Sequence, residues 1–139
     1  MSLTAAVKRK IESKRDPKEE RQAKEWIEAV IEEKFPNGKY EDALKDGVIL
    51  CKLMNKLKPG IIAKFNTSGS EYVLRDNISQ FLTAAAKYGV LRNDLFQTVD
   101  LFDQKDIALV TQSIRAVCRQ AQRNGFQGPV WGAKSTDNQ

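Results

Sequence analysis

The stretch Leu44-Lys45-Asp46-Gly47-Val48-Ile49-Leu50-Cys51-Lys52-Leu53-Met54-Asn55-Lys56-Leu57-Lys58-Pro59-Gly60 decides how this chain folds. From Val48 to Leu57 the apolar residues fall almost all round a helical wheel, and Lys45, Lys52 and Lys56 mark one polar edge. A helix apolar on nearly every side belongs in the middle of a domain, enclosed by other elements. Asp46-Gly47 reads as a helix start and turn device, and Lys58-Pro59-Gly60 as a stop.

The segments on either side supply the enclosure. Upstream, Asp16-Pro17-Lys18-Glu19 has an N-cap, a proline at the first helical position and a glutamate placed to complete a capping box. Ala23, Trp26, Ile27, Val30 and Ile31 follow at helical spacing, and Phe35-Pro36-Asn37-Gly38 closes the segment with turn residues. A short helical turn is predicted at 5–13, with Val7 and Ile11 on one side, and another at 40–44. Downstream, residues 61–72 show no period and read as a loop. Ile78, Phe81, Leu82 and Ala85 mark an amphipathic helix ending near Tyr88-Gly89, and 93–97 is predicted as a short helix. A long last helix runs from about Asp106, its N-cap, to Gln122, with Ile107, Val110, Ile114, Val117 and Ala121 as its core stripe. No strand alternation appears. The expected fold is all-α, about four main helices plus short ones around a buried middle helix. A basic arm is expected over 1–15, the domain over 16–124 and an extended tail over 125–139.

Composition narrows the chemistry. At 139 residues the chain is long enough for a core without metal or disulfide. Histidine is absent, which removes His-ligated metal sites, Ser-His-Asp and Cys-His arrangements, and the usual neutral-pH base. No phosphate-cradling glycine loop is present, and Asp100, Asp103 and Asp106 lack the alternation, central glycine and terminal glutamate of a calcium loop. No enzyme activity, cofactor or metal is expected. Cys51 and Cys118 share no ligand spacing, and Cys51 reads as a core thiol. No apolar run reaches the length of a signal peptide or membrane span, so a soluble, cytosolic protein is expected.

The net charge of +5 is unevenly spread. Residues 25–33 hold four glutamates, with Glu25, Glu28 and Glu32 opposite the apolar face, so the outer side of the first long helix is acidic and reads as a solvated face. The last helix is the reverse. Arg115, Arg119 and Arg123 recur every four residues opposite the core stripe, and no acid stands between Asp106 and Asp137. With Lys105, they are the candidate binding set for an acidic surface, weighed against a plain role in solubility and helix-dipole compensation. Lys8, Arg9, Lys10, Lys14 and Arg15 form a weaker candidate basic arm. Charge alone would also attract nucleic acid, but no recognition helix or base-stacking set accompanies it.

Taken together, these motifs resemble the calponin homology domain, of the single-domain type found in calponin, transgelin and invertebrate muscle protein 20. The resemblance rests on Leu44, Asp46-Gly47, Leu50-Cys51, Leu53, Asn55, Leu57 and Pro59-Gly60. Trp26-Ile27, Asn77-Ile78, Phe81-Leu82, Tyr88-Gly89-Val90 and 96–102 extend it over roughly residues 10–125. It implies a helical domain with a sandwiched middle helix and a cytoskeletal interaction module that binds filamentous actin weakly through the basic last-helix face. The alternative it leaves open is a regulatory scaffold for another cytoskeletal or signalling protein. Filament binding would then lie in sequence beyond residue 139, because proteins of this type carry a basic segment and short repeats after the domain.

Overall fold

Asn77 and Gly47 are the joint on which the helices are assembled. In the computed structural model, which describes residues 14–132, the chain forms α1 (Pro17–Ile31), α2 (Tyr40–Leu44), α3 (Val48–Leu57), α4 (Glu71–Tyr88), a 3-10 turn (Arg92–Asp94), α5 (Thr98–Phe102) and α6 (Ile107–Arg123). The described residues contain no strand, as the all-α expectation required. The turn predicted at 5–13 lies outside the described residues.

The middle helix, α3, is enclosed. Leu50, Cys51, Leu53 and Met54 are fully buried, and α1, α2 and α4 pack around it. Its start is built as the sequence suggests: the Asp46 carboxylate accepts the Val48 N–H (3.0 Å), and Gly47 takes a left-handed φ of +75°. Gly47 is also pressed on α4, where an added Cβ would stand 2.8 Å from the Asn77 Cβ. Asn77, fully buried, donates to the carbonyls of Asp46 (2.9 Å) and Asn66 (2.6 Å) and accepts the Asn66 N–H (3.0 Å). Asn55 likewise ties the loop after α3, exchanging two hydrogen bonds with the Ile62 backbone.

Three local expectations change. The predicted helix at 93–97 is replaced by a 3-10 turn at 92–94 and the helix α5, because Gln97 and Asp100 cap the latter. Buried Ser113 meanwhile accepts the Phe96 N–H at 2.8 Å and holds the connection extended. Glu19 does not close a capping box at α1, where Asp16 alone caps, accepting from Lys18 N–H. The outer glutamates of α1 are not uniformly solvated either. Glu28 is only 11% exposed and accepts the Phe35 N–H at 2.7 Å, fixing the turn that follows.

Arg15 links α1 to α2. Its guanidinium donates to Glu20 (2.6 and 2.9 Å) and Glu41 (2.9 Å), and Glu41 is buried. The hydrogen bond from Arg15 holds the Glu41 carboxyl below its usual range, against burial, which pushes it up. The unfolded chain therefore protonates Glu41 first. The pair stabilises the fold above an unfolded pKa of about 4.5, and that stability is lost as pH falls through the lower folded value. Arg15→Met is expected to cost about 2 kcal/mol at neutral pH, less than a fully buried pair because Arg15 is partly exposed. The gap between wild type and variant should narrow between neutral pH and about pH 2, below the reference Glu value of about 4.3. Urea unfolding at both pH values checks this; an equal gap at both excludes the pair as its source.

Candidate functional site

Helix α6 is amphipathic along its whole length. Ile107, Val110, Ile114, Val117 and Ala121 are buried, and Arg115, Arg119 and Arg123 face outward at one-turn intervals. Asp106 caps it as expected, accepting the Leu109 N–H at 3.1 Å.

The three arginines have different surroundings. Arg115 donates to Glu19 of α1 at 2.9 Å, and its guanidinium carbon lies 5.6 Å from the Trp131 ring centre. Arg119 and Arg123 are exposed and make no ion pair among the described residues. Arg115 and Arg119 line a groove of about 560 Å³ together with Glu19, Asp94, Gln112 and Trp131. The acid-free stripe of α6 is therefore joined by two carboxylates from α1 and the 3-10 turn. Lys105 is exposed but stands before the first turn of α6, roughly 25 Å along the helix from Arg123 at 1.5 Å per residue. The fold does not bring those two together.

In the weaker basic set, Arg15 is engaged by Glu20 and Glu41, and Lys14 is exposed. Lys8, Arg9 and Lys10 lie outside the described residues.

The sequence reading missed the chain after α6. Residues 125–132 have no regular structure, yet they fold back over the α1–α6 seam. Trp26, 2% exposed, donates its indole N–H to the Pro129 carbonyl (3.1 Å), and Trp131 donates its own to the Gln22 side chain (3.1 Å). The two rings sit 6.1 Å apart, tilted by 42°. An aromatic residue set among Gly and Pro in an otherwise polar tail was the available signal. Trp26 is thus a packing residue, as read, and also an anchor for this strap.

Neither thiol is poised for chemistry. Cys51 donates to the Asn77 carbonyl at 3.3 Å, and burial pushes its pKa up to about 12. Burial also raises Cys118, and a Trp131 backbone hydrogen bond with Arg115 and Arg119 only moderates the shift. Among the described residues no cluster of Cys, Asp or Glu could hold a metal ion, and no helix is long and apolar enough to cross a membrane.

Comparison with known proteins assigns the architecture. The pattern of the calponin homology (CH) domain matches residues 17–123. Muscle-specific protein 20 of Drosophila melanogaster is 50% identical over 139 residues, covering 99% of this chain and 76% of that protein. Myophilin of Echinococcus granulosus is 50% identical over 140 residues, covering 98% of this chain and 74% of that one. The crystal structure of the calponin-homology domain of Rng2 from Schizosaccharomyces pombe aligns with a TM-score of 0.72 at 25% identity, over 81% of this chain and 72% of that chain. By sequence pattern, relatives and fold alike, this chain belongs to the calponin homology domain family.

Proposed function

We propose that this protein is an actin-associated cytoskeletal module, and that it docks weakly on filamentous actin through the outer face of α6. The observation that carries the reading is the pair Arg119 and Arg123: exposed, one turn apart, unpaired among the described residues, on a helix with no acid of its own after its cap. Such a pair complements an acidic filament surface. Each exposed contact contributes little, so docking through this face is weak and salt-sensitive. Family membership supports the cytoskeletal setting.

A second reading draws on the groove beside the stripe. Glu19 and Asp94 line it together with Arg115 and Arg119. A mixed-charge groove suits a segment of a regulatory or cytoskeletal partner better than a uniformly acidic filament.

Co-sedimentation with filamentous actin at about 50 and about 150 mM salt separates the two, since the screening length shrinks to about 8 Å at the higher value. Wild type is expected to pellet more at low salt, and Arg119→Glu/Arg123→Glu to lose roughly tenfold in affinity. Arg115 is left intact in this variant because it also holds Glu19. No pelleting of wild type at either salt rejects filament docking by this domain and leaves the scaffold reading in place.

A further inference from the structure

Three long acid-free stretches meet at one end of the molecule. Residues 47–70, 77–93 and 107–132 contain no Asp or Glu, and they include α3, the greater part of α4 and all of α6. The three helices end side by side. One cleft of about 570 Å³ is lined by Lys58 and Pro59 after α3, Lys87 in the last turn of α4, and Asn124 and Phe126 after α6. Asn124 fastens two of the ends, donating to the Tyr88 carbonyl at 2.9 Å. Lys87 also borders a second, smaller cleft of about 170 Å³ beside Ile61, so the two clefts adjoin at this side chain and together make a trough that it divides. No acidic side chain lines either part.

Cations at helix C-termini have an ordinary role, which is to offset the helix dipole. Its size can be compared with the charge present. Each C-terminus carries about half a negative charge, so three together bring about one and a half. Lys56, Lys58, Lys87 and Arg123 bring four positive charges at these ends, all exposed and none ion-paired among the described residues. More than half of that positive charge is left uncompensated at this end of the molecule, and two of its four carriers, Lys58 and Lys87, line the cleft beside apolar side chains.

We propose that this trough is a docking surface for an extended acidic peptide segment of a partner protein, one that alternates carboxylates with apolar side chains. Lys58 and Lys87 face the carboxylates, and Pro59, Ile61 and Phe126 receive the apolar residues. A peptide fits better than a polyphosphate or a lipid surface for two reasons. Its side chains can offer carboxylates to Lys58 and Lys87 and apolar groups to Pro59 and Phe126 at once, which a polyphosphate cannot do. A concave trough also accepts an extended chain where a membrane would bridge across its rim. The surface is separate from the Arg115/Arg119 groove and does not depend on filament docking.

The test is an NMR titration of the ¹⁵N-labelled chain with a short synthetic peptide of alternating glutamate and leucine, at low salt. Expected shifts centre on Lys58, Lys87, Asn124 and Phe126. Lys58→Glu/Lys87→Glu, with its fold checked by the dispersion of the free spectrum, should weaken binding at least tenfold, and Arg119→Glu should change it far less. A peptide with serine in place of leucine should bind several-fold more weakly. The proposal is overturned if shifts centre on the Arg115/Arg119 groove, or if the lysine variant binds as wild type does. It is equally overturned if phosphatidylserine vesicles are bound through Lys58 and Lys87 while the peptide is not.

Discussion

Asn77→Ala is expected to lower the stability of the fold by about 3 kcal/mol, a large share of the 5–15 kcal/mol that holds a domain together. The side chain is fully buried and makes three hydrogen bonds to backbone groups of two other segments. Truncation leaves the Asp46 carbonyl without this donor at the foot of α3, at a cost of about 1–3 kcal/mol for a buried group, and opens a small cavity beside it. The Asn66 groups lie in an exposed loop and can turn to water, which keeps the total from rising further. Asn66→Ala is the matched control. Asn66 takes part in this network through its backbone, so its side chain should be nearly neutral. Equilibrium denaturation of both variants decides the matter, and a loss below about 1 kcal/mol for Asn77→Ala would remove the joint from the account.

A second large effect is expected for Trp26→Ala, about 3–5 kcal/mol, the usual range for removing a buried large aromatic. It also has a spectroscopic signature. Trp26 and Trp131 are the only tryptophans in the chain. With Trp26 gone, all indole emission comes from Trp131, which has lost its ring neighbour and the donor that held the Pro129 carbonyl. Emission from the folded variant should shift to the red as that ring meets water. Trp131→Ala should cost less, about 2 kcal/mol, because the ring is only partly buried and adds a tilted aromatic contact, the Gln22 hydrogen bond and the Arg115 contact. If Trp131 emission stays unmoved in Trp26→Ala, the strap is held by something other than this pair.

How much of this was visible in the sequence follows from the range of each interaction. The buried α3 was legible because its apolar residues surround the helix, and its start because Asp46 and Gly47 act on their immediate neighbours. The Asp106 cap and the α6 stripe were legible for the same reason. Helix α5 was not, since five residues carry too little periodicity and its capping pair reads as ordinary polar sequence. The mixed charge around Arg115 was hidden because Glu19 reaches it from 96 residues away. The strap was hidden more completely: Gly and Pro spell an extended tail, and its partners lie 103 and 109 positions back. A helical wheel sees one helix, and these features arise between helices.

The strap also sets how the domain responds to tension. Pro129 contacts Trp26 and Trp131 contacts Gln22, so the strap runs back toward the start of α1, and residues 17 and 132 lie at the same end of the molecule. Tension applied across those two points loads the strap contacts one after another, the Trp131 contacts before that of Pro129. It does not load them all at once. Contacts peeled in sequence give way at lower force than contacts sheared together. Release of the eight residues 125–132 would let out roughly 25 Å of chain, at about 3.3 Å per residue, while α3 and its surroundings stay packed. The strap would thus give up a short length of slack before the core bears any load.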